Sequence, residues 1–394
     1  MILKFTIYFF FILLFITKWK FNFFNFPLFY PFYFLLFLLG LKNIKTIDKR
    51  IFKINILLLS FVIIILTSYL LNFQLLSLKS DKFYHGLIFY CITFLFSGVV
   101  LNLLYNNSYR FDYIIILRNS LLFLAILSLF DTYNIYLNNT NLFEFDNSLI
   151  SSSDTALNNF SLSGFILTRI DTFFGDPSLG ALTFLLGTIL NDLSNSKFKL
   201  FYSFIFIFSI LITMSVSGIL CLFIYYFISN KFKYKNLFFV VLSFLIISYF
   251  SGLQPLIYDI ILERTNSTGT FKNHLDINKK SFDIILNNIF GLGYKSFHIH
   301  YPMIYSSHNS FLQVLLETGI FGLIFWLYLY LKILFEFAQK NQIYNVLFSF
   351  VIILFIMSFA HDVLFRFEYF LSVLLILIVN LKNHKLNSQI IQNY

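Results

Sequence analysis

Charge is scarce in this chain of 394 residues, because Asp, Glu, Lys and Arg together make up only 12% of it. Soluble domains are about 25% charged and about 45–50% apolar, whereas 59% of this sequence is apolar and its mean hydropathy is +0.80. Too few polar groups remain to cover a soluble domain, and the same composition excludes a disordered chain. We therefore predict a polytopic membrane protein.

Cysteines and glycine-rich motifs are also scarce, which removes several functional classes. Cys91 and Cys221 both lie inside apolar runs, so a disulfide framework is not expected. The sequence contains no Gly-rich phosphate-binding loop and no soluble domain for ATP. It also shows no internal repeat, which argues against a transporter built from duplicated halves.

Long apolar runs fill the sequence instead, and about 12 of them approach the roughly 20 residues that a spanning helix needs. The runs are continuous rather than alternating, which favours helices over a transmembrane β-barrel. We predict an all-α polytopic fold with a single membrane domain over 1–394 and a break between two spans at 213–218. The predicted spans are 2–17, 26–41, 51–71, 84–105, 113–130, 177–190, 198–213, 215–229, 237–253, 309–334, 343–360 and 363–381.

The net charge of +10 is explained by where the basic residues lie between these spans. With the N-terminus in the cytoplasm, most segments rich in Lys and Arg fall on the inner side, as the positive-inside rule requires. This predicts an N-in, C-in topology, an even number of spans and no nucleic-acid partner. An uncleaved first helix is expected, because Lys18 and Lys20 rather than a small-residue cleavage site follow the first run.

Two long polar segments, 131–176 and 254–308, fall on the outer side in this topology. Segments of this length in a compact fold are usually functional or disordered. In the first, the apolar run 162–174 is interrupted by Arg169 and is compatible with a re-entrant segment against protein or a wet cavity. The second contains an amphipathic stretch, 275–290, and we expect it to be partly helical.

Candidate site residues lie in these outer segments. The guanidinium of Arg169 is suited to holding a phosphate in a two-pronged geometry; the alternative is an interfacial arginine that reaches lipid headgroups. Asp176 precedes Pro177, so its ordinary role is to cap the following helix. His308, immediately before a predicted span, is suited to general-base chemistry near neutral pH; the alternative is a histidine that caps the helix beside Asn309.

The other polar residues of 254–308 leave further alternatives open. His298, His300 and His308 suggest a zinc site, although zinc sites usually show a tighter ligand pattern. The charged residues of this segment have mixed signs, which is typical of a solvated surface. The basic candidates for contact with an anion are Arg264, Lys272 and Lys280.

Three motifs carry a resemblance to a known family. The first is Arg169, followed by Asp-Pro-Ser at 176–178 and small residues that open a helix. The second is a Gly-Leu-Gly turn at 291–293. The third and most specific runs from His-Asn at 308–309 into Glu-Thr-Gly-Ile-Phe-Gly at 317–322. With these motifs, its predicted spans and the break at 213–218, the chain resembles the O-antigen polymerase and O-antigen ligase superfamily, the Wzy/WaaL type of polytopic glycosyltransferase.

Two features that are frequent in this family are missing. Val216 stands where the family often has an Arg after the Ser of the break. Upstream of the Gly-Leu-Gly turn, 270–274 reads Thr-Phe-Lys-Asn-His, where the family often has an Arg and a Trp. The second phosphate contact of the family is therefore open here, with Arg264, Lys272, Lys279 and Lys280 as candidates.

The resemblance implies sugar transfer at the bacterial cytoplasmic (inner) membrane, with an active site that faces the periplasm or exterior. The donor would be a glycan on undecaprenyl diphosphate, and the acceptor a sugar hydroxyl of the next lipid-linked repeat unit. The resemblance implies no nucleotide cofactor, because the donor is already activated, and no metal if cationic side chains take its place at the diphosphate. Other candidate partners are the bilayer, a chain-length regulator and a flippase. The implied residues are His308 as base, Arg169, Arg264, Lys272 and Lys280 at the diphosphate, and Asp176, Asn309 and Glu317 in support.

Three functions remain open at this point. We favour a polymerase of O-antigen or capsular repeat units, because the biased composition, with 58 Phe, suggests an AT-rich and rapidly diverging gene. The first alternative is an O-antigen ligase, which would transfer finished polymer to a lipid A core. The second, from another class, is a flippase for lipid-linked oligosaccharides or a solute transporter. Such proteins carry ionisable residues within their spans, whereas these spans are nearly free of charge.

Overall fold

Helices dominate the protein in a computed structural model. The structure describes residues 2–16, 19–21, 26–42, 48–71, 81–108, 112–138, 150–152, 159–162, 165–168, 173–174, 176–194, 196–213, 215–228, 270–293, 309–337, 342–359 and 366–392. The α-helices are α1 (Ile2–Leu14), α2 (Tyr30–Leu41), α3 (Lys49–Leu71), α4 (Asp81–Asn106), α5 (Tyr113–Asn138), α6 (Pro177–Leu193), α7 (Lys199–Ile212), α8 (Val216–Ile228), α9 (Thr270–Asn287), α10 (Ser310–Lys332), α11 (Gln342–Met357) and α12 (Phe367–Gln392). A π-helical segment, Ile333–Phe337, continues α10.

Each predicted span that the structure describes contains a helix, although residues 26–27 at the start of the second span form a short strand. The span 237–253 lies outside the described residues. The break at 213–218 is confirmed, because α7 ends at Ile212 and α8 begins at Val216. Three helices in the described part of the chain are long and apolar enough to cross a bilayer, and further apolar helical stretches of 10–17 residues lie elsewhere in it. The helical, membrane-embedded character is thus confirmed, whereas the number of spans, the topology and the single domain over 1–394 stay predictions. The three long candidate spans are Lys49–Leu71, Tyr113–Ile135 and Ser310–Phe335.

Large apolar side chains cover much of the outer surface of the helices. Leu200, Phe204, Phe227 and Phe335 are 73%, 64%, 69% and 70% exposed. Soluble monomers rarely expose contiguous apolar surface on this scale. A hydrocarbon environment explains these exposures, because lipid tails replace the protein neighbours that such side chains would otherwise need.

Short strands of two to four residues accompany the helices, which remain the dominant structure, as the all-α prediction states. β1 (Trp19–Phe21) pairs antiparallel with both β2 (Phe26–Pro27) and β3 (Ile150–Ser152). β4 (Asn159–Leu162) pairs antiparallel with β5 (Phe165–Thr168). Backbone N–H and C=O groups outside helices need partners, and strand pairing supplies them. The re-entrant interpretation of 162–174 stays a prediction, since only parts of this run are described.

α6 lies at the centre of the helices that position the candidate site. Every residue from Pro177 to Asp192 is buried, and α6 contacts α5, α7, α8 and α11. Small residues allow this close packing. A Cβ at Gly187 would collide with the ring of Phe206, and one at Gly218 of α8 would collide with Ala181.

A polar network joins four helices at the end of α6 that is remote from Asp176. Arg118 of α5 donates from Nη1 to Ser194 Oγ at 2.6 Å. Asp192 of α6 accepts from the Tyr225 hydroxyl of α8 at 2.8 Å and lies 3.7 Å from Lys199 Nζ of α7. These basic residues are ones that the positive-inside rule assigns to the cytoplasmic side. The network therefore brings together helix ends for which the sequence predicts the same side.

Candidate active site

The first turn of α10, directly after His308 in the sequence, is capped by Asn309. The Asn309 backbone is extended, with φ −139° and ψ 116°. Its Oδ1 accepts hydrogen bonds from Phe311 N at 3.0 Å and from Leu312 N at 3.1 Å. These bonds satisfy backbone donors that a helix otherwise leaves unpaired. Asn309 is therefore the N-cap of α10, the role considered above for His308.

The same turn is tied to the end of α11. Ser310 N donates to Ser358 O at 2.8 Å, and Asn309 Nδ2 donates to Phe359 O at 3.4 Å. Ser310 and Ser358 are both fully buried. The start of α10 is thus fixed both by the Asn309 side chain and by the backbone carbonyls at the end of α11.

Glu317 lies two turns into α10 and is buried with Gln313. Each of the two residues is 6% exposed, and Gln313 Nε2 donates to Glu317 Oε1 across one helical turn. A buried carboxylate is costly unless it is hydrogen-bonded. The hydrogen bond from Gln313 meets this need and gives the Glu317 carboxylate a fixed orientation near the start of α10.

α10 is broken at Gly319. Its φ of 69° and ψ of −171° are not helical, and this region of backbone space is accessible essentially to glycine alone. A break of this kind leaves carbonyls without partners at the end of the first half and N–H groups at the start of the second. Those groups need partners from elsewhere in the fold.

The carbonyl groups before the break receive donors from two other parts of the chain. Leu292 N donates to Leu316 O at 2.6 Å, and Gly293 N donates to Glu317 O at 3.0 Å. Ser68, at the end of α3, donates its hydroxyl to Glu317 O at 2.7 Å. The Gly-Leu-Gly turn after α9 therefore packs backbone against backbone on the break in α10.

The backbone N–H groups after the break also find a partner in the turn that follows α9. Ile320 N donates to Ile289 O at 3.0 Å. Gly291 has a φ of 78°, and a Cβ on it would collide with Gly319 N. The motifs at 291–293 and 317–322, separate in the sequence, thus form one junction, which we call the Gly291–Gly319 junction.

Asp176 caps α6 as the sequence predicts. Its backbone is extended, its Oδ1 accepts from Ser178 N at 2.6 Å, and Pro177 occupies the first helical turn. The capping interpretation of Asp176 is therefore confirmed. Leu179 O, in the same turn, accepts from the Tyr369 hydroxyl at 2.9 Å, which links this end of α6 to the beginning of α12.

The beginning of α12 brings an arginine to this end of the protein. Arg366 Nη1 lies 3.5 Å from Glu368 Oε1, and the side chain of Arg366 is 27% exposed. Tyr369, one residue after Glu368, is the residue bonded to α6. The residues that follow α11 contact Asn309, and the short segment 358–365 joins α11 to Arg366. The capped starts of α6 and α10 therefore lie at the same end of the helices.

The remaining predicted site residues are only partly covered by the structure. The described part of the chain does not include Arg169, Arg264 or His308, and of Lys272 only the backbone within α9 is described. Lys280 is exposed on α9, which packs against α10. The structure thus brings Asn309, Glu317 and α9 together, while the catalytic and diphosphate-binding roles stay predictions. His298 and His300 of the zinc alternative also lie outside the described residues.

Sequence reasoning missed three contributors to this region. They are Arg366, Gln313 and Ser68, none of which is a candidate in the sequence analysis. The pattern Arg-Phe-Glu-Tyr at 366–369 is a signal for Arg366, because a Glu two residues after an Arg can orient the guanidinium group through an ion pair. No local signal identifies Ser68, since it bonds to Glu317 O from 249 residues away.

Loss of the α10 cap is expected to destabilise this end of the protein. Asn309→Ala removes the acceptor of two backbone N–H groups, and loss of such a cap costs about 0.5–2 kcal/mol. Asn309→Asp is the matched control, because it keeps the acceptor oxygen. We expect a lower melting temperature of the purified protein for Asn309→Ala and a nearly unchanged one for Asn309→Asp. Equal melting of all three proteins would contradict the cap.

Comparison with protein families gives a match within the part of the chain that carries this junction. Residues 201–327 match the family model Wzy_C, described as O-Antigen ligase. The matched segment includes His308, Asn309, Glu317 and the Gly291–Gly319 junction, whereas Arg169 and Asp176 lie before it. No curated protein matches the chain significantly. Over this segment, the protein is similar to the O-antigen ligase and polymerase superfamily of membrane-embedded, glycosyltransferase-like enzymes.

Proposed function

We propose that this protein is a polymerase that joins undecaprenyl-diphosphate-linked oligosaccharide repeat units into O-antigen or capsular polysaccharide. The observation that carries the proposal is the family match over 201–327. The Gly291–Gly319 junction supports it, because it gives a structural reason for the motifs that lie inside the match. The proposed place of action is the outer face of the bacterial cytoplasmic membrane, with a flippase and a chain-length regulator as candidate partners.

In the proposed reaction, a hydroxyl oxygen of the acceptor sugar forms a bond to the anomeric carbon of the donor glycan. The bond from that carbon to the diphosphate oxygen breaks, and the diphosphate leaves with the bonding electrons. We assign His308 as the base that takes the hydroxyl proton and later releases it to water. Asn309 supports this role, since it fixes the helix start next to His308 in the sequence.

The leaving diphosphate accumulates negative charge, so preorganised cations lower the barrier. Arg366 joins the candidates because it begins α12 beside the capped start of α6 and is oriented by Glu368 at 3.5 Å. Bidentate guanidinium contacts suit a phosphate group particularly well. The reaction as written needs no nucleotide, because the donor is already activated. The full set of proposed diphosphate contacts is Arg169, Arg264, Lys272, Lys280 and Arg366.

An O-antigen ligase is the second candidate, and the description of the matching family model favours it. Both functions use the same donor chemistry and differ in the acceptor, which is a repeat unit for the polymerase and a lipid A core for the ligase. The biased composition, with 58 Phe among 394 residues, is the observation that leads us to prefer the polymerase. Genes of sugar-specific polymerases diverge rapidly, and this composition is typical of such a gene in an AT-rich genome.

Deletion of the gene, followed by gel electrophoresis of the surface glycan, tests the proposal. A polymerase deletion is expected to leave single-repeat glycans and to remove the ladder, and the gene supplied in trans is expected to restore it. Full-length polymer that stays on the lipid carrier would overturn the polymerase in favour of the ligase. Absence of every outer-face intermediate would overturn both in favour of a flippase.

A further inference from the structure

α9 presents three different faces. Its buried face, with Ser281 fully buried, packs on α10. A second face carries exposed polar residues, among them Asp283 and Asn287. A third face is apolar and exposed, with Phe282 at 52% and Leu286 at 61%. A helix between protein and water needs only two faces, so the exposed apolar face requires a further environment.

The apolar face of α9 continues onto the surface of α10. Ile289 and Phe290, in the turn after α9, are 58% and 61% exposed. The ring of Phe290 stacks on that of Phe321, with centroids 5.9 Å apart. Phe321 is itself 58% exposed on a candidate membrane span. The two helices therefore share one uninterrupted apolar surface.

The exposed apolar stripe on α10 begins at the break. Between Ser310 and Gly319 no large apolar side chain is exposed, whereas Phe321, Ile324 and Phe335 are 58%, 59% and 70% exposed. From Phe321 to Phe335 a helix rises about 21 Å, which is most of the roughly 30 Å hydrocarbon core of a bilayer. The stripe thus marks lipid contact. α9 contacts the stripe at the end that lies nearer to Ser310.

The polar residues of α9 suit this boundary. Lys279 flanks the apolar face, where its stem can lie along hydrocarbon while the ammonium group reaches the headgroups. Asp276 and Lys280, with Asp283 and Asn287, lie on the water side. Helices with a polar face and a separate apolar face lie in the membrane interface, with the apolar side about 5–10 Å into the boundary between headgroups and acyl chains.

We propose that α9 is an interfacial helix, whose partner is the bilayer surface on the side where α10 begins. The Gly291–Gly319 junction holds its C-terminal end against the span, so the helix keeps a fixed depth. Its apolar face contacts acyl chains, its polar face contacts water, and its buried face contacts α10. This assignment concerns a lipid contact and does not depend on the reaction proposed above.

Spin-label accessibility of the full-length protein in vesicles of phosphatidylethanolamine and phosphatidylglycerol tests this assignment. Cys91 and Cys221 are buried and are replaced by Ala, after which single cysteines are introduced and labelled. The lipid-side positions are Phe282→Cys and Leu286→Cys, and the matched water-side positions are Asp283→Cys and Asn287→Cys. All four side chains are exposed, so the labels are not expected to disturb folding.

Collisions with oxygen, which partitions into lipid, are compared with collisions with a water-soluble nickel chelate. We expect the oxygen-to-nickel ratio to be severalfold higher at 282 and 286 than at 283 and 287. Dominant nickel collisions at all four positions would place α9 in water and overturn the proposal. A ratio as high at 283 and 287 as at 282 and 286 would place the whole helix in hydrocarbon and overturn it as well.

A fluorescent label at Leu286→Cys gives a second, independent measurement of depth. Lipids that are brominated near the headgroup end of the acyl chain are expected to quench it more than lipids brominated near the chain terminus. Phe335→Cys, near the opposite end of the exposed stripe on α10, serves as a control for a lipid-exposed position. Stronger quenching of the 286 label by the terminal bromines, or none by either lipid, would contradict an interfacial position.

Discussion

Cells that carry His308→Ala are expected to lose long-chain glycan and to accumulate single repeats. Removal of a general base typically lowers the rate about 10²–10⁴-fold, which is enough to remove a polymer ladder. The measurement is gel electrophoresis of the surface glycan, with the amount of tagged protein in the membrane determined in parallel. Normal membrane levels together with a lost ladder would support the assignment, and long polymer at normal levels would contradict it.

His300→Ala and His298→Ala are the matched controls in the same outer segment. If His308 acts as a base, both variants should keep a ladder close to that of the unmodified protein. If the three histidines instead held a zinc ion, loss of any one ligand would be expected to remove activity. A chelator would then also remove activity from the unmodified protein, so the base and the metal site make different predictions.

Gly319→Ala is expected to disrupt the Gly291–Gly319 junction. The backbone conformation alone, with φ 69° and ψ −171°, would cost an alanine about 1–3 kcal/mol. A Cβ would also collide with Ile289 O and Phe290 C, which are backbone atoms and cannot move independently. The amides of Leu292, Gly293 and Ile320, which are bonded across the junction, should then exchange hydrogen faster. Peptide-level hydrogen exchange and the melting temperature are the measurements.

Gly180→Ala is the matched control for this experiment. Gly180 lies in the first turn of α6, where the atoms nearest to an added Cβ belong to the ring of Phe174, with Cδ2 at 2.9 Å, and a side chain can move. Alanine also favours a helix more than glycine does. We expect nearly unchanged melting and unchanged exchange at the junction. Protection at Leu292 and Ile320 that survives Gly319→Ala would show that the junction does not depend on this glycine.

Local sequence predicted the helices and one cap correctly because the interactions that create them are local. Hydropathy acts along a continuous run, and the Asp176 cap involves Ser178 N only two residues away. The break between α7 and α8 was also visible, since Ser and Gly residues interrupt an apolar run at 213–218. The strands were not predicted, because pairings of two to four residues have little local signal. The pairing of β1 with β3 also joins segments more than a hundred residues apart.

The region 309–334 was predicted as one span, and the structure divides it at Gly319. Glycine is common inside membrane helices, so its presence alone did not indicate a break. The conformation of Gly319 is decided by what lies opposite, since the turn at 291–293 supplies donors to Leu316 O and Glu317 O. Arg366 is a similar case, because its place beside α6 depends on the bond from Tyr369 to Leu179 O.

Neighbouring residues and the scarcity of charge, 12% of the chain, are enough to predict a helical membrane protein in which Asp176 caps a helix that begins at Pro177. The motifs that resemble one glycosyltransferase superfamily are also visible in the sequence. The folded chain is needed to see that two glycine motifs form one junction and that Ser68 completes it. The physical reason is that a broken helix leaves backbone groups that must be paired, and their partners come from distant segments that folding alone brings together.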